Sequence, residues 1–449
     1  MNKARTTRCM QLSVMLFSAL SILSLPVVGA ETKPDKIVAM DMLTVKEPRS
    51  KAESRLRVIR LTTRSGAMGY GDYLEYGLPT DNEEETLARL VNRYAEQDHK
   101  IDIFLTDPST RAVGGGGIVL GQTAEQILNA QPVTHLRDDS ALFPREGFGP
   151  MWQGPGKSGL VIALQAALLD LTEENGPCEV RLCPSIPIDR EVDGKRRLNT
   201  PDEMQQTVAS LKEAGFTAVR LELAGALEDE MRSRGERAPY RYPQEVLGMI
   251  DRLVLASKKA AGTEMDLVVA ANMNLSTDGM TYLALHCERN EVTLLENPMT
   301  LQHLPEQGAA RREFSQPLGF GGDYHVLEDF AQGIKNQAGT VLAPDAGRIG
   351  GVAMLARTAD LAKEARLKVA PVVQGGPLSL LAVARSLSGR DEVLWVTSSY
   401  QEQWLKDDSV LKIPLEMTQG SLISESCEMD ETKFQVKRIA QVDTQNKGK

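Results

Sequence analysis

Between Asp266 and Pro377 the chain repeats one unit: a short apolar run, a charged or turn-forming residue, then a helical pattern. The runs are DLVVA (266–270), VTLLE (292–296), PLGFGGD (317–323), TVLAPD (340–345) and LKVAP (367–371). Their ends, at Ala270, Glu296, Asp323, Asp345 and Val372, fall 22 to 27 residues apart. That is the length of one βα unit in a barrel of about eight units. Unbroken Val/Leu/Ile runs suit strands covered on both faces. The strand ends of such a barrel meet at one mouth, and three of these five carry a carboxylate. The sequence therefore predicts an acidic cluster at a barrel mouth.

The flanking segments complete the barrel. EVRLCPSIPI (179–188) reads as strand one, TAVRLEL (217–223) as strand two and EVLWVTS (392–398) as strand eight. Thr200-Pro201-Asp202-Glu203 is a helix start, with a capping pair three apart and Pro at the first helical position. Met204, Val208 and Leu211 form that helix's inner stripe. Residues 226–243 read as a polar insert before a helix at 244–261, and seven helical segments separate the eight strands. The predicted fold class is α/β: a (β/α)7β TIM-like barrel over 158–400, behind an α+β capping domain over 31–157. Three antiparallel strands open that domain at 36–45, 55–63 and 68–76, and a helix begins at Asp81. Residues 100–157, with Gly114–Gly117 in a row, lack the strand and helix that a phosphate cradle requires and read as loop over the mouth. SGLVIALQAALLDL (158–171) is apolar nearly all round, as a helix between two layers should be. Residues 401–449 are expected to pack back on the capping domain and end in a polar tail.

The first 30 residues have the form of a signal peptide: Lys3, Arg5 and Arg8, an apolar stretch, then Val28-Gly29-Ala30. Export to the periplasm or beyond is the expectation, with no membrane anchor after cleavage. The net charge of −10 comes without a basic stripe, which argues against nucleic acid and anionic membranes as partners. Cys178 and Cys183 stand five apart on a strand and so face opposite ways, which disfavours a mutual disulfide. With Cys287 and Cys427 they read as core thiols.

Glu296 and Asp323 end adjacent predicted strands. Two carboxylates held close repel one another, and a divalent cation such as Mg²⁺ relieves that; the plainer role for either alone is to cap a helix. Arg220 and Glu222 alternate on strand two. Arg220 could grip a substrate carboxylate and Glu222 serve a metal or a proton, or the two could form an internal salt bridge. Asp345 precedes a Gly-rich turn and has Arg348 or Arg220 as its expected partner. His325, two residues past Asp323, is the histidine nearest a predicted mouth. Asn272, Asn274 and Gln374 could bind hydroxyls or close turns.

In order along the chain stand GYGD (69–72), ALLDL (167–171), GFTAVRLEL (215–223), VVAAN (268–272), LLENP (294–298), GGD (321–323), APDAGRIGG (343–351) and VAPVVQGGP (369–377). This series resembles the enolase superfamily in its mandelate racemase/muconate-lactonizing branch. The resemblance implies a capping domain over a (β/α)7β barrel. It also implies Mg²⁺ held by acids on strands three, four and five, abstraction of a proton α to a carboxylate, and often a symmetric homo-oligomer. Carried over, the acids of strands four and five fall on Glu296 and Asp323, but that of strand three falls on Ala270. The family's Lys-x-Lys is Arg220-x-Glu222; the aspartate of its Asp–His dyad is Asp345, with Val372 at the histidine.

Two readings follow. One is a divergent enzyme, with Glu222 as third metal ligand and His325 or Asp345 moving protons on a hydroxy or sugar acid. The other is a catalytically silent barrel that binds a sugar acid or a protein.

Overall fold

The computed structural model describes residues 37–48, 54, 56–74, 163, 166–167, 170, 178–399 and 411–441, less 194, 224, 236–238, 273–274, 325–326, 350, 413–414 and 425–428. The signal-like segment, the helix expected from Asp81, the Gly/Pro-rich stretch and His325 lie outside the described residues.

Strands β1 (Ile37–Val45), β2 (Leu56–Thr63) and β3 (Met68–Leu74) form antiparallel pairs. Barrel strand one is β4 (Cys178–Pro187). A hairpin follows, β5 (Asp189–Val192) and β6 (Lys195–Leu198), and then α1 (Pro201–Glu213). Next come β7 (Ala218–Glu222), α2 (Ala226–Ser233), α3 (Gln244–Ala261), β8 (Asp266–Ala270) and α4 (Thr277–Arg289). The series continues through β9 (Leu294–Glu296), α5 (Leu304–Ala310), β10 (Leu318–Phe320), α6 (Leu327–Lys335), β11 (Val341–Leu342) and α7 (Val352–Glu364). It ends with β12 (Lys368–Val369), β13 (Val372–Val373), α8 (Pro377–Leu387) and β14 (Val396–Ser399).

The barrel strands pair in parallel in the order β12-β11-β10-β9-β8-β7-β4-β14-β13. β12 and β13 are two pieces of one barrel strand on either side of Pro371, which has no N–H for the ladder, so the ring closes. Parallel strands need crossovers, and the helices between them supply a coat whose apolar faces close the core. Val208 and Leu211 of α1, Leu253 and Val254 of α3, and Leu283 of α4 are buried in it. The α1 start forms as expected: Glu203 N–H donates to Thr200 Oγ1 (3.3 Å) and Thr200 N–H to Glu203 Oε2 (2.7 Å). The polar insert of 226–243 differs from expectation, because its first part is the helix α2. Leu227 and Met231, four apart, are both fully buried and fix that helix to the barrel.

The remaining strands are β15 (Met417–Thr418), β16 (Ser421–Ser424) and β17 (Phe434–Gln441). β16 runs antiparallel to β4, and β17 pairs with β1, giving a capping sheet ordered β17-β1-β2-β3. Two close approaches join that sheet to the barrel's helices. A Cβ at Gly71 would meet the Ala163 carbonyl oxygen at 1.8 Å, so only glycine permits the approach. Asp72, fully buried, accepts backbone N–H bonds from Leu378 (2.8 Å) and Ser379 (2.9 Å) and so caps α8.

Candidate functional site

Sheet register decides which side chains meet at the mouth. Ser185, Arg220 and Val268 lie side by side on β4, β7 and β8; two residues on, Pro187, Glu222 and Ala270 do the same, and Ala270 pairs with Glu296 of β9. With period two along each strand, both rows face the same side. The methyl of Ala270 thus stands between the carboxylates of Glu222 and Glu296, and the space above it goes to Arg220.

Arg220 Nε donates to Glu296 Oε1 at 2.8 Å, its Nη1 donates to Ser185 Oγ at 2.7 Å, and Nη1 stands 3.6 Å from Glu222 Oε1. Arg220 is 5% exposed and Glu296 0%. Burial works to lower the Arg220 guanidinium, but the charges of Glu296 and Glu222 outweigh it and the net shift is upward, so it stays protonated. Burial pushes the Glu296 carboxyl up, and Arg220 offsets this only in part. Glu296 Oε1 also accepts from Asn297 Nδ2 (3.3 Å), whereas the buried Oε2 has no hydrogen-bond partner among the described residues. Asn297 adopts φ +47°, which asparagine tolerates better than most side chains, and its Oδ1 accepts from the Gly322 N–H (2.9 Å). This ties the loop after β9 to the Gly321-Gly322-Asp323 loop.

Asp323 Oδ2 accepts the N–H of Leu301, the first residue of the short 3₁₀ turn Leu301–His303. It caps a turn in the preceding βα loop. Asp345 Oδ1 accepts the N–H groups of Gly347 (2.9 Å) and Arg348 (3.4 Å), while Oδ2 accepts from Gln374 Nε2 (2.9 Å) and lies 3.5 Å from Arg348 Nε. The expected Arg348 partnership is present, and Gln374 is an addition.

Glu222, Glu296 and Asp323 are the three side chains that the sequence offers to a metal. Among the described residues no three His, Cys, Asp or Glu side chains gather where a cation could be held. Around them, Arg220 engages Glu296 and faces Glu222, while Asp323 accepts a backbone N–H through Oδ2. The expected Arg220–Glu222 bridge is present at 3.6 Å, and Glu296 is a nearer partner still at 2.8 Å. Ser185 was missed; the signal available was one hydroxyl in the otherwise apolar second half of the strand run, 182–188.

Residues 203–426, about half of the chain, match the family described as enolase C-terminal domain-like. The chain belongs to the enolase superfamily. Solved structures of the mandelate racemase/muconate lactonizing type share the fold across nearly the whole chain. A putative mandelate racemase/muconate lactonizing enzyme from Burkholderia SAR-1 aligns with a TM-score of 0.64 at 18% identity, covering 88% of this chain and 92% of that one. A putative dehydratase from Zymomonas mobilis aligns at 0.64 and 16% identity, covering 90% and 100%. The D-xylonate dehydratase of Haloferax volcanii is 25% identical over 241 residues, 49% of this chain; the chain spans 57% of that relative's length. The likeness is thus to racemase- and dehydratase-type proteins of the superfamily.

Superfamily members generally bind Mg²⁺ and act on small carboxylates. The residues of this enolase-superfamily barrel do not fit that ion as they stand. Mg²⁺ demands near-octahedral oxygen ligands, and here strand three offers Ala270, strand four a glutamate paired to arginine, and strand five an aspartate holding an N–H. A guanidinium 2.8 Å from Glu296 and a dication on the same carboxylate would repel each other.

Proposed function

We propose that this enolase-superfamily protein is an altered binding barrel for a small sugar acid, in which the inherited Mg²⁺-assisted proton abstraction is lost. The observation that carries the reading is the buried Arg220–Glu296 ion pair at the end of β9, on a side chain that the resemblance assigns to metal. Two absences from the motif pattern support it: Glu222 replaces a basic lysine, and Val372 stands where a histidine would take the proton. Without a proton acceptor of that kind and a cation on the enediolate, a hydrogen α to a carboxylate is far too weakly acidic to be removed. The sugar-acid class rests on the D-xylonate dehydratase relative, and export on the basic and apolar opening of the sequence.

A second reading keeps the ancestral chemistry, and the partnerless Glu296 Oε2 favours it, since a buried carboxylate oxygen seeks a proton or a cation. One experiment separates the two. The purified full chain is incubated in D₂O with D-xylonate and related aldonates, with and without Mg²⁺, and α-proton loss and dehydration are followed by ¹H NMR. Ligand line broadening or a thermal shift without exchange or product is the expected result. Mg²⁺-dependent exchange that is abolished by Glu296→Gln would establish the second reading.

A further inference from the structure

A second charged site lies on the outer rim of the same barrel face. The β5–β6 hairpin follows the C-terminal end of β4, and α2 follows that of β7, so both are loop insertions on the mouth side; the first turns of α3 close the gap between them. Together they form a cleft of about 750 Å³. Four arginines line it, Arg196, Arg197, Arg234 and Arg252, against two carboxylates, Glu230 and Glu245. This excess of positive charge is notable in a chain whose net charge is −10.

The four guanidiniums fall into two classes. Arg234 is anchored, with its Nε 2.7 Å from Glu230 Oε1 and its Nη1 3.9 Å from Glu245 Oε2; Arg197 reaches Glu203 at 3.5 Å. Arg196 and Arg252 are exposed and have no ion pair within 4.0 Å among the described residues; the nearest carboxylate to Arg196 is that of Asp189, which it faces across Gly225. Two anchored cations and two available ones around one cavity is the arrangement of a receptor for spaced negative charges. Guanidinium presents a planar fork that binds carboxylate or phosphate oxygens in pairs, and the cleft volume is that of an ordinary small-molecule site. Gly248, on the α3 wall, leaves open the space beside Arg252 Nη1, 3.9 Å from where a Cβ would stand.

We propose that this rim cleft binds a ligand carrying two or more oxyanions on one short chain, with Arg196 and Arg252 as the gripping residues. The site shares no residue with the Arg220–Glu296 pair, so either assignment can fail without the other.

The test is isothermal titration of the full chain at low salt with trigalacturonate, with tripolyphosphate, and with neutral maltotriose. Binding of an oligoanion that weakens in salt and at least tenfold in the Arg196→Ala/Arg252→Ala variant is the expected result. The stronger arm then tells carboxylate from phosphate. Since both side chains are exposed, the variant should keep the wild-type melting temperature; the milder Arg252→Gln should lose part of the affinity. Absence of binding by either oligoanion, affinity unchanged in the variants, or equal binding of maltotriose overturns the proposal.

Discussion

A buried guanidinium and a buried carboxylate each cost several kcal/mol to desolvate, and the pair stands only while both members are present. Arg220→Met should therefore leave Glu296 uncompensated and cost about 3–5 kcal/mol in urea unfolding. The double variant Arg220→Met/Glu296→Gln should recover more than half of that loss. Additive losses in the two single variants would mean that the pair is not coupled. Glu296 was legible in the sequence as a strand-end acid and does end β9, whereas Asp323 and Asp345, expected at strand ends as well, stand in the loops three residues past β10 and β11. Their partners were not legible. Arg220 reaches past Glu222 to Glu296 because Ala270 lies between the two carboxylates in register and fills little space, and such a cross-strand vacancy shows only once the strands are aligned. Asp323 illustrates the same limit: its capping role was foreseen as a type, but the turn it caps, at Leu301, is one loop earlier than its own.

At the level of elements, helix ends were read most directly. The Thr200–Glu203 reciprocal cap is local, so its four residues specify it without tertiary help; Thr200→Ala should cost about 1 kcal/mol of stability, read from chemical denaturation. Asp72 is a cap of another kind, supplied to α8 by a strand 306 residues away. No local pattern announces it, although Asp72 closes the motif GYGD and Leu378 and Ser379 directly follow the motif QGGP. Burial pushes the Asp72 carboxyl up to about 6, against the pull of the Leu378 and Ser379 N–H groups. Its folded value thus exceeds the ordinary 3.8, and the folded chain holds the proton more tightly. The group favours folding below the unfolded value, and that contribution is lost as pH rises through about 6. The melting temperature of wild type minus that of Asp72→Asn should therefore fall between pH 4 and pH 7; a difference that rises with pH would contradict the assignment. Strand seven shows why short strands resist reading, for Pro371, the last residue of the LKVAP run, divides it into β12 and a second piece, β13, that begins at Val372.

For the molecule as a whole, the two ends of the described chain are sewn together. β17 covers the open edge of β1, and Arg60 bridges Asp41 (2.9 Å) and Glu431 (2.8 Å), while Arg438 also pairs with Asp41. Deleting residues 434–449 would expose that edge, and the truncated chain should aggregate at concentrations where the full chain elutes as one species in size-exclusion chromatography. No described helix is long and apolar enough to cross a membrane. The enolase-superfamily scaffold is retained from capping sheet to barrel, and the function proposed above holds that Arg220 stands where the family keeps an exchangeable cation. Metal content decides that claim most directly. Full-length protein equilibrated with Mg²⁺, freed of excess ion and analysed by mass spectrometry should carry well under one equivalent per chain, with no more in wild type than in Glu296→Gln. One equivalent in wild type that disappears in Glu296→Gln would show that Arg220 yields its place to the metal, and the account would be wrong.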